Sequence, residues 1–147
     1  MKHKFAWVVL LVAYAAAFAA NVGHFAWGYE IGWIQISTSV LYAAAWIWFV
    51  VSGRTDKALL QAAVVVGGLT AAGGVFGLLA RSFGSGLFTL LGLATAGLTA
   101  TPLYGLLRPL ADYDLFYLAA AVLGTGWMIV SLLLKKSAVQ KTFETDG

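Results

Sequence analysis

The stretch ALLQAAVVVGGLTAAGGVFGLLA, residues 58–80, carries no charge, and its only polar side chains are Gln61 and Thr70. A half-buried strand alternates apolar with polar positions, and a helix at a water surface keeps one polar face. This run does neither. It is apolar on every side, and a helix of about 20 residues is enough to cross a hydrocarbon layer of roughly 30 Å. In hydrocarbon each backbone amide must be bonded within its own segment or around a closed barrel. Without period-two alternation the barrel fails and the helix remains.

Four further segments read the same way: Phe5–Ala26, Trp33–Val51, Gly86–Leu107 and Leu115–Leu134. The connectors SGRTDK, RSFGS and RPLADYD are short, which favours antiparallel neighbours in one bundle. The sequence therefore predicts an all-α fold, a small polytopic membrane helix bundle with five hydrophobic helical segments and four or five crossings. A single transmembrane helix-bundle domain is expected over 1–134. The polar tail 135–147, KKSAVQKTFETDG, is expected to fray.

Composition agrees. Of 147 residues, 61% are hydrophobic and 10% charged, against about 45–50% and about 25% in an average soluble domain. A core of this size cannot hide that excess from water. The expected address is a bacterial-type cytoplasmic membrane, multi-pass, with membrane lipids as the first partners. The absence of cysteine removes disulfides, thiolate metal sites and cysteine nucleophiles. The net charge of +3 comes from terminal lysines and single loop arginines rather than a basic stripe, so no nucleic-acid partner is expected.

The start, MKHKFAWVVLLVAYAAAFAA, has the basic, apolar and small-residue order of a secretory leader, with Ala17-Phe18-Ala19 as the cleavage-like site. An uncleaved first span is the preferred reading. Orientation divides two signals. With five crossings the basic residues split five against four, which is no bias. If segment four turns back the split is seven against two, and if segment three does it is eight against one. Hydropathy favours five crossings and charge favours four.

Segments three and four also share a faint echo. Gly68-Leu69-Thr70-Ala71 returns as Gly97-Leu98-Thr99-Ala100, and Phe76-Gly77-Leu78-Leu79 as Tyr104-Gly105-Leu106-Leu107. Were these true copies, adjacent crossings would have inverted topology.

The candidate polar or ligand site is Asn21, His24 and Glu30, in NVGHFAWGYEIGW (21–33). At 1.5 Å per residue, His24 lies about 28 Å along the helix from Phe5, near the far boundary of the hydrocarbon. A hydrated boundary turn is the plain reading, with Trp27, Tyr29 and Trp33 as interface anchors. A proton-responsive site is the sharper one, since Asn21 and His24 share a helix face. Gly67, Gly73 and Gly77 are expected to be helix-packing positions, where small residues let backbones approach. Pro102 predicts a kink near Leu98, whose carbonyl loses its donor four residues on. The threonines of segment four are expected to bond carbonyls one turn back. A candidate interfacial cluster groups Arg108, Asp112 and Asp114, with Asp114 capping the last helix.

No nucleophile elbow, zinc helix or paired catalytic carboxylates occur, and no charge lies deep in any segment. The expected protein is not an enzyme and needs no cofactor or metal. It would be an accessory, immunity or regulatory subunit acting through helix–helix contacts, as a homo-oligomer or within a larger membrane complex. The alternative is a small oligomeric transporter or channel using the Thr/Pro-rich fourth helix.

Overall fold

Residues 58–80 lie within one continuous helix, and the rest of the bundle is best placed by what touches it. The computed structural model describes residues 2–27, 29–52, 57–107 and 112–145, with side chains at 4–27, 29–52, 58–107 and 112–136. In chain order the elements are α1 (Lys2–Trp27), α2 (Trp33–Ser52), α3 (Lys57–Phe83), α4 (Gly86–Thr99), a 3-10 turn (Thr101–Leu103), α5 (Tyr104–Leu107) and α6 (Tyr113–Thr145). No strand occurs among the described residues. Helices α1, α2, α3 and α6 are each long and apolar enough to cross a membrane.

Glycine fixes how α3 meets its neighbours. A Cβ on Gly67 would lie 2.9 Å from the Met128 nitrogen and 3.0 Å from the Gly124 oxygen of α6. Higher up, Gly74 abuts the Ala121 backbone, and the Tyr117 ring covers Gly77. At the two ends Lys135 donates to Gln61, and Arg81 pairs with Asp114. Residue numbers rise along α3 as they fall along α6, so the two are antiparallel. On another face, a Cβ on Gly73 would lie 2.8 Å from the Ala96 Cα, and one on Gly92 would lie 3.0 Å from the Gly77 nitrogen. This makes α4 antiparallel to α3 as well. Gly84, with φ of 62°, closes α3 in the left-handed conformation that an L side chain resists.

These registers have a consequence for segment four. It leaves from the end of the bundle where α3 stops, and Asp114 meets Arg81 at that same end. The segment therefore enters the bundle and comes back instead of passing through. Its two helical pieces, α4 and the turn with α5, are bent by 62° at Ala100. Proline explains the place. In a straight helix the Leu98 carbonyl would accept from the nitrogen of residue 102, and Pro102 has no hydrogen there. The Tyr14 hydroxyl of α1 donates to that carbonyl instead, at 2.8 Å. The expected kink is thus present, with its orphaned acceptor satisfied from a neighbouring helix.

Two apolar clusters follow from the turn-back. The end holding the chain termini is packed by Ala6, Leu10, Phe49, Leu59, Leu60 and Ala63, from α1, α2 and α3, with Leu134 of α6 against them. The opposite end is packed by Ala96, Ala100, Tyr104, Phe116 and Ala120, with Phe25 and Ile31 against them. Segment four thickens only this second end. The echo between segments three and four does not extend to structure, since α3 is continuous and its counterpart is broken. Helix α6 runs past its apolar part to Thr145, so the polar stretch 135–145 continues the helix rather than fraying. No proline or glycine interrupts it there.

Candidate functional site

The polar residues of the bundle gather where α1, α2 and the broken segment meet. Asn21 sits on the inward face of α1 and is fully buried. Its amide donates to the Ala17 carbonyl one turn back at 2.8 Å and to the Ser39 hydroxyl of α2 at 3.2 Å. Ser39 is fully buried too. One turn toward the start of α2, the Gln35 oxygen accepts from the Gly32 N–H at 3.1 Å. That choice of oxygen turns the Gln35 NH2 toward α1, where it reaches the Ala20 carbonyl at 3.3 Å and His24 Nε2 at 2.9 Å.

An amide NH2 only donates, so His24 Nε2 accepts and the ring proton resides on Nδ1. The tautomer is therefore fixed by a hydrogen bond from α2. The Tyr29 ring packs edge-on against His24 with centroids 5.9 Å apart.

Segment four closes the junction. A Cβ on Gly105 would collide with the Gln35 carbonyl and lie 2.8 Å from Asn21 Oδ1. Only glycine lets the α5 backbone rest there. Three buried polar atoms of this junction have no hydrogen-bond partner: Asn21 Oδ1, His24 Nδ1 and Thr101 Oγ1. Buried polar groups are nearly always bonded, which makes an acceptor, a donor and a hydroxyl around one break a candidate polar site. Thr70, Thr89, Thr95, Thr99 and Thr125 behave otherwise. Each hydroxyl donates to the carbonyl four residues back, at 2.6–3.1 Å.

Of the residues singled out in the sequence, Asn21 and His24 are brought together, but Asn21 is enclosed by protein rather than hydrated at a boundary. Glu30 is exposed, and no hydrogen bond joins it to the other two. Gln35 and Ser39 take the place expected for it. They were legible as the polar run QISTS at 35–39, at the head of an otherwise apolar segment.

The second cluster divides. Arg108 lies outside the described residues. Asp112, not Asp114, caps α6, accepting the Leu115 N–H at 3.0 Å. The helix starts at Tyr113, which puts Asp112 in the N-cap position and frees Asp114 for Arg81. Both members of that pair are about half exposed. Gly67, Gly73 and Gly77 all lie in contacts within the chain, and Gly74, Gly92 and Gly124 join them.

Among the described residues there is no group of three histidine, aspartate or glutamate side chains placed to hold a metal. Comparison with family models, curated proteins and solved structures found no match to this chain.

Proposed function

We propose that this chain is a multi-pass protein of a cytoplasmic membrane that works without catalysis, as an accessory, immunity or regulatory subunit docked through the outer face of α1. The observation that carries the reading is the composition of that face. Ala15, Ala16, Ala19, Val22 and Ala26 are exposed, and a Cβ on Gly23 would touch nothing within 4 Å. The other helices expose mainly large aliphatics, as with Leu87, Leu90 and Leu93 on α4 or Leu118, Val122 and Leu123 on α6, with only scattered small residues such as Ala44, Ala94 and Gly126 between them. Large aliphatics suit lipid. A stripe of alanine and glycine suits another helix, because small side chains let backbones approach. The glycines of α3 cannot play this part, being occupied inside the bundle.

The orientation belongs to the same reading. With segment four turning back, Lys2, Lys4, Arg54, Lys57, Lys135, Lys136 and Lys141 fall on one side, and Arg81 and Arg108 on the other. The positive-inside rule then favours both termini in the cytoplasm. The bent fourth segment and this charge split both support four crossings.

Disulfide cross-linking tests the docking face cleanly, because the chain has no cysteine of its own. Ala19→Cys in native membranes is expected to trap a second copy or another subunit, and Ala19→Leu to abolish the complex seen by native mass spectrometry. A strictly monomeric protein with no captured partner overturns the reading.

The second reading, a small oligomeric transporter or channel, draws on one observation. Non-helical backbone at membrane depth is tolerated where it is buried or lines a pathway, and the break at Ala100–Pro102 is buried among α1 and α2. Flux of ions or small solutes into reconstituted liposomes, lost with Thr101→Val, would favour it. Tight vesicles across a broad panel of solutes would discard it.

A further inference from the structure

Where segment four turns back, the half of the bundle nearer the termini lacks a fifth helix. Below the turn lies a crevice of about 290 Å³ between α2, α3 and α6, roofed by Leu103 and Leu106 of the returning segment. Trp46 and Trp127 form its aromatic wall, edge to face with centroids 5.8 Å apart. Ile47 and Leu123 stand at its rim, more than half exposed to the surroundings, so it opens sideways.

The only hydroxyls that line it, apart from the ring of Tyr42, belong to Thr70 and Thr99. Both are spent on their own helices, donating to Val66 and Thr95 carbonyls at 2.8 Å. A polar solute or water entering here would lose its hydrogen bonds and find few in return. A hydrocarbon chain loses nothing.

The basic end of the bundle fixes the other half of the ligand. Lys135, held on the α3 side of α6 by its bond to Gln61, follows Trp127 by about 12 Å, close to the roughly 15 Å from mid-bilayer to the headgroups of one leaflet. An anionic phospholipid of that leaflet satisfies both features. Its acyl chain fills the crevice and its phosphate lies at Lys135.

Resting on the membrane reading above, we propose that the crevice beneath the turned-back segment is a binding site for one acyl chain of an anionic phospholipid from the leaflet on the side of the termini. Its reach along α6 makes Lys135 the headgroup contact.

Bromine on an acyl chain quenches tryptophan that it touches, which gives the site a direct readout. The protein is reconstituted in bilayers containing a small share of mid-chain brominated phosphatidylglycerol or, separately, brominated phosphatidylcholine. The signal of Trp127 is isolated as the difference between the parent and Trp127→Phe. At about one brominated lipid in ten, a tenfold preference fills roughly half of the sites by mass action. Quenching of Trp127 by phosphatidylglycerol is therefore expected to exceed that of lipid-facing Trp48 several-fold. The excess should vanish in Ala43→Phe, which fills the crevice, and in Leu123→Trp, which blocks its rim. The advantage over phosphatidylcholine should vanish in Lys135→Gln.

Equal quenching of Trp127 and Trp48, tracking the bulk brominated fraction, overturns the site. So does equal quenching by the two lipids in the parent. Cross-linking of a second copy through Leu123→Cys would show a protein helix as occupant and also overturns it. If instead no tryptophan is quenched, Trp48 included, it is the membrane reading itself that has failed.

Discussion

Replacing Tyr14 by phenylalanine removes one hydroxyl and leaves the ring. The hydroxyl donates at 2.8 Å to the Leu98 carbonyl, the acceptor that Pro102 deprives of its usual partner. The bond lies on the outer surface of the bundle, facing lipid rather than water in the membrane reading, and losing one partner of a hydrogen bond shielded from water costs about 1–3 kcal/mol. Interhelical bonds in membranes average only about 0.6 kcal/mol, with a maximum near 1.7, because the unfolded chain in lipid finds other partners. Here the unfolded state offers little relief, since Pro102 denies the same carbonyl its local donor in any helical form. The upper part of the membrane range applies, and Tyr14→Phe is expected to destabilise by about 1–1.5 kcal/mol. That is close to a tenfold change in the folding equilibrium.

A second substitution makes the reasoning testable rather than merely consistent. Pro102→Ala returns an N–H to the position that Leu98 lacks. In that background Tyr14→Phe should lose most of its effect, leaving a coupling of about 1 kcal/mol in a double-mutant cycle. The assay is reversible unfolding in mixed micelles with increasing sodium dodecyl sulfate, followed by circular dichroism. Additive effects of the two substitutions would refute the claim that the tyrosine serves the proline-orphaned carbonyl.

Other consequences are simpler. Gly105→Ala drives a methyl group into the Gln35 carbonyl and toward Asn21 Oδ1, and the same unfolding assay should show a loss of about 1–3 kcal/mol. Asp112→Ala removes the N-cap of α6 and should cost about 0.5–2 kcal/mol. Asp114→Asn breaks only a half-exposed ion pair and should cost less than about 1 kcal/mol, fading with added salt. The reverse order of these two would restore Asp114 as the cap. Gly124→Leu cannot be accommodated against the Ala71 backbone, and it should abolish folding instead of grading it, as judged by recovery of helical monodisperse protein.

Much of this architecture was readable in the residues. The five apolar segments, the kink near Leu98 and the back bonds of Thr89, Thr95 and Thr99 follow from side-chain chemistry that acts within a turn or two, whereas Thr101, at the break, departs from that expectation. Gln61 likewise acquired a neighbour, Lys135, of the sort its place near a helix end invites. The direction of segment four was not readable from hydropathy. Residues 86–107 are equally apolar whether they cross or return. The charge of the flanking loops favours an even number of crossings, but it favours a turn-back of segment three, eight against one, over one of segment four, seven against two, so the residues alone do not pick out the segment.

The polar junction was half legible for a related reason. Helical spacing joins Asn21 to His24 on one face, but Gln35, Ser39 and Gly105 arrive from elements distant in sequence. Glu30 was drawn in by nearness along the chain, and its exposure in the connector leaves it in solvent. The cap of α6 was misplaced because the helix begins at Tyr113, two residues before the apolar run that marks it in the sequence. One such step exchanges the roles of Asp112 and Asp114.

The turn-back of residues 86–107 carries the most weight, and labelling of single cysteines reaches it directly in a chain that has none of its own. Cysteine is introduced separately at Ser82, Asp112 and Ser52, and intact cells or sealed vesicles are treated with a membrane-impermeant maleimide. Positions 82 and 112 are expected to react from the same side, and position 52 from the other. Reaction of 82 and 112 from opposite sides would mean that segment four crosses, and the orientation, the crevice and its lipid would fall with it.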